Sequence, residues 1–287
     1  MNGPMKPHKV LMILSITLVV LLAIVMIPLL IGPRVPDPHY QNKPLSAWLK
    51  DLGGGNREKQ TRAEEAIRDI GTNALPMLLK ELRAQDPLGW QVWHRILPRK
   101  RYAVAADRVH AADRALQVLG SGAEAALPAL LQIAADPQCG DDRPRRALAA
   151  IGPRAVAPMI SALTNSNERV RSCAALVLTS IGPSARDAAP ALLRSLSDPD
   201  ARVRAHAAGG LSRIGADPEI AIPALIERLA DADGYVRLCA AMSLGDFGER
   251  ATSAVPALQR LESDRSVEVR QQGLEAVRRI EPRSVMK

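Results

Sequence analysis

The apolar positions in the second half of the chain follow one pattern that repeats at a fixed interval. In the stretch Val203–Gly215, VRAHAAGGLSRIG, the apolar positions are 203, 207, 211 and 214. A spacing of i, i+4, i+8 and i+11 lies on one stripe of a helix. Related stretches begin at Val170, Val236 and Val269, so that each begins 33 residues after the one before it. A period of this length predicts stacked helical units rather than one globular core.

A second motif predicts that each unit contains two helices. Three Pro-Ala pairs, at Pro190, Pro223 and Pro256, are again 33 residues apart, and each proline lies eight residues before an aspartate. Each aspartate then precedes the arginine of the Val-Arg pair by six residues. Proline suits the first turn of a helix, and the aspartate falls in the turn before the second helix. The motif therefore predicts a helix, a short turn and a second helix.

This arrangement resembles the HEAT repeat, and more closely the short HEAT-like repeats named after the phycobilisome lyases. The resemblance covers about residues 44–281. It implies an all-α fold, an α-solenoid of antiparallel helix pairs. For function the resemblance implies only a scaffold, because such repeats occur in many unrelated proteins.

Seven helix pairs are predicted, with one insertion. Ile70 and Leu119 occupy equivalent positions but are 49 residues apart where 33 are expected, and the 16 surplus residues fall within 86–108. The predicted helices lie near 44–52 and 59–70, 73–84 and 104–119, 124–135 and 143–151, 154–163 and 168–181, with the last three pairs at 185–214, 218–247 and 251–280. Residues 282–287 form a C-terminal tail.

The first 43 residues predict a membrane anchor and a linker. After a basic tail at 1–9, residues 10–31 contain no charge, and 22 helical residues span about 33 Å, enough to cross the hydrocarbon core of a bilayer. The competing interpretation is a signal peptide, but the run is long and lacks a small-residue cleavage site. Basic residues before the span favour a cytoplasmic N-terminus and an extracytoplasmic solenoid. Residues 32–43 hold three prolines and are predicted to be a linker.

The phrase from Tyr40 to Leu49 resembles the start of the repeat domain in membrane-anchored HEAT-repeat proteins of certain bacteria, a family without an established activity. It supports a single-pass membrane protein. The membrane is therefore one expected partner of this chain.

The most regular polar feature is a set of acidic or amide residues and arginines in the last four units. In HEAT repeats the matching residues form a ladder between neighbouring units, and the aspartate can also cap the second helix. A basic stripe for phosphates is the alternative interpretation. We expect Arg228, outside this set, to lie on an outward face. The ladder residues are Asn165, Arg171, Asp198, Arg204, Asp231, Arg237, Asp264 and Arg270.

The insertion is the predicted contact site for a partner protein. It combines aromatic and basic side chains, a composition enriched at interaction hot spots. The alternative is a packed loop whose tryptophans lie under the solenoid. The candidate residues are Trp90, Trp93, Arg95, Arg99, Lys100, Arg101 and Tyr102.

Composition narrows the possible functions. Aromatic residues make up only 2% of the chain, which suits closely stacked helices, and no strand is predicted. The net charge of +8 is dispersed over the units, so we do not expect nucleic acid as a partner. Cys173, His206 and Cys239 occupy equivalent positions, but stacked helices hold such positions about 8–10 Å apart, too far to share one zinc ion. The three cysteines of the chain contain no Cys-x-x-Cys pair.

No sequence motif for nucleophilic, phosphate-binding or dinucleotide chemistry is present. We therefore predict neither an enzyme nor a cofactor, a metal or a small-molecule substrate. The predicted function is a membrane-anchored protein-interaction scaffold that binds a partner along the inner face formed by the second helices. The alternatives are a nucleic-acid-binding solenoid and a phycobilin-lyase-like enzyme subunit.

Overall fold

The computed structural model describes residues 35–84, 104–137 and 142–281. The predicted anchor at 10–31, the two terminal tails, Cys139 and most of the insertion lie outside the described residues. From Asp37 onward the described residues belong to one structural unit.

Within these residues the chain forms fourteen α-helices in seven consecutive pairs, and the predicted helical solenoid is confirmed. The pairs are α1 (Leu45–Gly53) with α2 (Arg57–Ile70), α3 (Leu75–Leu82) with α4 (Val104–Leu119), α5 (Leu127–Ala135) with α6 (Asp142–Ile151), α7 (Val156–Ala162) with α8 (Glu168–Ile181), α9 (Ala189–Ser195) with α10 (Ala201–Arg213), α11 (Pro218–Arg228) with α12 (Gly234–Phe247), and α13 (Val255–Gln259) with α14 (Val267–Ile280).

Several first helices are shorter than the sequence predicts, because 3-10 turns connect one pair to the next. Such turns occupy Gly120–Ala126, Gly182–Ala188 and Gly248–Ala254, for example. Each begins with a glycine at positive φ, between +51° and +71° in these three. A side chain is disfavoured in this conformation, so glycine ends the second helix and the chain turns toward the next pair.

The second helices pack directly on one another along the array, whereas the first helices of neighbouring pairs meet mainly through the 3-10 turns. Small residues permit this close approach. A Cβ atom built on Gly210 would lie 2.4 Å from Oγ1 of Thr179, and one on Gly245 would lie 3.1 Å from Cα of Ala276. The closely packed side of the array is therefore the side of the second helices.

A two-stranded hairpin precedes α1, and the expectation that the chain has no strand is wrong here. Strand β1 (His39–Tyr40) pairs antiparallel with β2 (Lys43–Pro44). The two residues between them, Gln41 and Asn42, have φ values of 49° and 59°. Positive φ at both central positions is typical of the turn that matches strand twist.

The hairpin packs on the solenoid, so the segment from Asp37 to Lys43 is not a free linker. The ammonium group of Lys43 lies 3.7 Å from the centre of the Trp48 ring and forms an ion pair with Asp51. The indole N–H of Trp48 donates to the carbonyl of Tyr40 at 3.3 Å. These contacts cover the first end of the described solenoid, where no earlier helix pair packs on α1 and α2.

Among the described residues, one stretch, Asp107–Ala135, is long and apolar enough to cross a membrane by length and composition alone. It comprises α4, a 3-10 turn and α5, which belong to neighbouring pairs and pack against other solenoid helices. It is therefore a part of the solenoid, distinct from the predicted anchor at 10–31.

Candidate interaction surface

An arginine in the first turn of each of the helices α8, α10 and α12 forms an ion pair with the aspartate of the following pair. Its Nε and Nη2 atoms donate to the two oxygens of the carboxylate, a bidentate geometry that strengthens and orients the contact. The three rungs, with their two N···O distances, are Arg171–Asp198 (2.8 and 2.9 Å), Arg204–Asp231 (2.9 and 2.9 Å) and Arg237–Asp264 (2.6 and 2.8 Å).

The same guanidinium groups also hold the turn of their own pair. Nη1 of Arg204 donates to the carbonyls of Asp198 at 2.9 Å and of Pro199 at 3.1 Å. Both members of the rungs are largely buried; the side chains of Arg237 and Asp264 are each 8% exposed. These arginines are therefore occupied within the stack, and they do not form the phosphate-binding stripe considered as the alternative.

The ladder aspartate shapes the turn but does not cap the second helix. Oδ1 of Asp198 accepts from the backbone N–H of Asp200 at 2.9 Å. Asp200 is the cap, because its own carboxylate accepts from the N–H groups of Arg202 and Val203. The prediction that the ladder aspartate caps the second helix is therefore wrong, because the cap is the residue two positions later. Asn167, Asp233 and Ser266 cap α8, α12 and α14 in the same way.

The rungs lower the pKa values of their carboxyl groups. At Asp231 the hydrogen bonds from Arg204 have the largest effect and outweigh partial burial, and the N–H of Asp233 adds to them. The pKa of Asp264 is lowered chiefly by the bonds from Arg237. Both carboxyl groups are therefore ionised in the folded protein at neutral pH.

The solvent-facing stripe of α8, α10, α12 and α14 forms what we call the second-helix face. Equivalent positions of the four helices lie in rows across the stack, and residues at i, i+4 and i+7 of each helix lie on the same side of it, with the two cysteines of the middle row buried. Three rows are Arg169, Arg202, Tyr235 and Glu268; Cys173, His206, Cys239 and Gln272; and Leu176, Gly209, Met242 and Glu275.

Tyr235 is the large aromatic side chain on this face, and its ring is held in a defined orientation. Tyr235 is 51% exposed. The ring of His206 meets it edge to face at a centroid distance of 6.1 Å, and Nδ1 of His206 is hydrogen-bonded to Oγ of Ser172 at 2.9 Å. Tyr235 is not among the contact residues that the sequence predicts. The signal was available, because an aromatic residue occupies a row that is otherwise charged.

In the cysteine row, the environment of Cys239 favours its protonated thiol. Burial raises the pKa of the Cys239 thiol to about 11, so the thiolate needed for metal binding or nucleophilic attack is scarce at neutral pH. Cys173 is also buried. In the described ranges, no group of three His, Cys, Asp or Glu side chains is arranged to hold a metal ion.

A cavity of about 350 Å³ lies between α1, α3 and α4. Leu49, Met77 and Ala111 contribute apolar walls, and the buried carboxylate of Glu81 is ion-paired with Arg108 at its rim. Of the insertion, the described residues include only its last part, at the start of α4. The predicted contact residues Trp90, Trp93, Arg95, Arg99, Lys100, Arg101 and Tyr102 all lie outside the described residues.

Comparison with protein families finds repeats in the second half of the chain. Residues 143–212, 158–233 and 222–285 match the family described as HEAT repeats. No curated protein matches the sequence.

Solved structures share the solenoid architecture at low sequence identity. An engineered protein is 22% identical, with 83% of this chain and 96% of that chain covered and a TM-score of 0.45. Kap121p bound to Pho4p is 16% identical with a TM-score of 0.53, and the match covers 82% of this chain but only 29% of Kap121p. A designed armadillo repeat protein in complex with the peptide (KR)4 is 17% identical, with 82% and 99% covered and a TM-score of 0.43. The similarity to Kap121p shows the fold alone.

Proposed function

We propose that this chain, whose residues 143–285 consist of HEAT repeats, is a non-catalytic scaffold that binds a partner protein along its second-helix face. A solenoid of this kind is suited to protein–protein interaction, as the complex of Kap121p with Pho4p illustrates. We further propose that residues 10–31 anchor the chain in a membrane with the solenoid on the extracytoplasmic side.

The observation that carries the proposal is the exposed, pre-oriented ring of Tyr235. An aromatic side chain with few rotatable bonds loses little entropy when a partner covers it. Two turns further along α12, the partly buried Met242 is a flexible apolar side chain that adapts to a partner's shape. An exposed aromatic anchor is typical of an interaction hot spot.

The charges of the second-helix face favour a protein over a nucleic acid. Arg169 and Arg202 lie at one end of the first row, and Glu268 lies at the other. Glu275 on α14 and Asp246 on α12 both form ion pairs with Arg279, so this part of the face also carries both signs of charge. A phosphate backbone requires a continuous basic track, whereas a polypeptide can match both signs.

The test is site-specific photo-crosslinking in the native cell. A crosslinker at position 235 should capture a discrete, saturable partner, whereas one at position 194, exposed on the first helix α9, should not. Tyr235→Ala should weaken binding of that partner by about 2 kcal/mol or more. Equal capture from both positions, or unchanged affinity of the Tyr235→Ala variant, would remove the support for this face.

The insertion is a second proposed contact, supported by its sequence alone. Trp90 and Trp93 are three residues apart, and four basic residues follow. If the insertion and the second-helix face bind the same partner, variants at both places will weaken the same complex. If they do not, the crosslink from position 235 will survive replacement of the two tryptophans.

A further inference from the structure

The arginine ladder has a fourth arginine whose carboxylate partner is missing among the described residues. Arg270 occupies the position of Arg171, Arg204 and Arg237, one unit further along. Its Nη1 donates to the carbonyl of Asp264 at 2.7 Å, as the Nη1 atoms of the other three arginines do to the carbonyls of their own turns. Within the described part of the chain, no carboxylate forms an ion pair with Arg270.

Arg270 is nevertheless held as a receptor for a carboxylate. The turn that binds its Nη1 is itself fixed, because Asp264 is gripped by Arg237 and accepts from the N–H of Ser266 at 2.9 Å. In three equivalent rungs this arrangement directs Nε and Nη2 at a carboxylate 2.6–2.9 Å away. The entropy of orienting the side chain is therefore already lost before a ligand arrives.

A further helix pair would not pack here as closely as the earlier pairs do. At each earlier interface two small residues meet, as Thr179 meets Gly210 and Gly245 meets Ala276. The position equivalent to Thr179 and Gly245 on α14 is Arg278, whose long side chain prevents an equally close approach. The ligand of Arg270 must therefore approach as a smaller or more loosely packed element than another repeat.

An apolar residue lies beside this arginine. Leu274 is 46% exposed, whereas Ala175, Ala208 and Ala241 at the equivalent position are fully buried under the next helix. Arg278 adds a second positive charge one turn further along α14. We call the surface formed by Arg270, Gln271, Leu274 and Arg278 the end face.

We propose that the end face binds an acidic turn of a partner protein, an aspartate followed two residues later by a helix-capping residue, with an apolar side chain of the same segment against Leu274. The proposed ligand resembles the turn at Asp198 and Asp200 of this chain, in which Asp198 accepts hydrogen bonds from Arg171 and from the N–H of Asp200. The proposal rests on the proposed function only in taking the ligand to be a protein; it concerns a different surface from the second-helix face.

The test uses the full chain in detergent and a fluorescent peptide with the sequence of residues 196–203, which contains this turn. Fluorescence anisotropy should detect binding, and a control peptide carrying the change Asp198→Asn should bind at least about tenfold more weakly, because it loses the charge-assisted bonds. Arg270→Gln should weaken binding of the first peptide by a similar factor. Arg270→Lys should also weaken it, because an ammonium group lacks the bidentate fork. Arg213→Gln, an exposed arginine on α10, should leave it unchanged.

Three results would overturn the proposal: no binding of the peptide, equal binding by the Arg270→Gln variant, or equal binding of the two peptides. The melting temperature of Arg270→Gln serves as the folding control and should lie close to that of the wild type. Tyr235→Ala should leave peptide binding intact. A chain that binds the acidic peptide but shows no partner crosslinked at position 235 would contradict the function proposed for the second-helix face and leave the end face supported.

Discussion

Replacing Arg237 by glutamine is the sharpest test of what the ladder contributes to stability. The change removes two bonds to Asp264, at 2.6 and 2.8 Å, and two bonds to the carbonyls of Asp231 and Ala232, at 2.8 and 3.2 Å. It leaves a carboxylate that is 8% exposed and that still accepts from the N–H of Ser266. Breaking one side of a buried ion pair in this way costs about 3–5 kcal/mol.

This rung lies at the edge of the stack. After small rearrangements, water can therefore reach the carboxylate of Asp264 that has lost its arginine. We therefore expect a loss near the lower limit, about 3 kcal/mol. For a solenoid of this size each kcal/mol lowers the melting temperature by about 2–4 °C, so Arg237→Gln should melt about 6–12 °C earlier by circular dichroism.

The matched control is Arg270→Gln, because among the described residues Arg270 makes the carbonyl bond of a rung without the carboxylate bond. It should lose about 1 kcal/mol or less. Arg213→Gln, which changes an exposed arginine, should stay within about 0.5 kcal/mol. Arg228 is unsuitable as a control, contrary to the outward position expected from the sequence: its side chain is 23% exposed and its Nη1 donates to the carbonyl of Leu196 at 3.1 Å.

An equally small loss of stability in Arg237→Gln and Arg270→Gln would contradict the predicted contribution of the rung. That result would mean that the bidentate bond in the rung only offsets the cost of desolvating its two charges, as it does in some buried pairs. A loss at Arg237 that disappears in the double variant Arg237→Gln/Asp264→Asn would instead locate the cost in the unpaired carboxylate.

Three further predictions concern pH, the anchor and the insertion. The pKa values of Asp231 and Asp264 are lowered in the folded protein. The ladder should therefore contribute its full stability above the unfolded-state pKa of about 3.9 and lose that stability as the pH falls toward the folded-state values. The melting temperature of the wild type should fall more steeply below about pH 4 than that of Arg237→Gln. The full chain should remain in the membrane fraction after carbonate extraction, and recovery of a mature chain starting near Gly32 would identify residues 10–31 as a cleaved signal peptide. Trp90→Ala/Trp93→Ala should abolish partner binding with little change in thermal unfolding, and a melting temperature several degrees lower would mean that the tryptophans are core.

The sequence by itself determined the helix pairs, because the signals that define them are local. An apolar stripe such as Val203 to Ile214 and a glycine after the last turn act within a few residues of chain. The fixed spacing of 33 residues then identified the stack, since no unit of this size buries its apolar face alone. The start of α11 at residue 218 agrees with the predicted pair 218–247, and its local signal is Asp217, which caps the helix at Pro218; Pro223 therefore lies inside the helix.

The tertiary structure decided which of these residues meet. Periodicity places an aspartate six residues before each arginine, but the carboxylate that each arginine binds belongs to the next pair, 27 residues later, because neighbouring helices stack with that offset. The contact of Lys43 with the ring of Trp48 likewise holds the end of the proline-rich segment in a hairpin. The exposure of Tyr235 and, within the described residues, the absence of a carboxylate on Arg270 depend on which faces neighbouring helices cover, and such contacts arise only when residues distant in sequence come together in the stack.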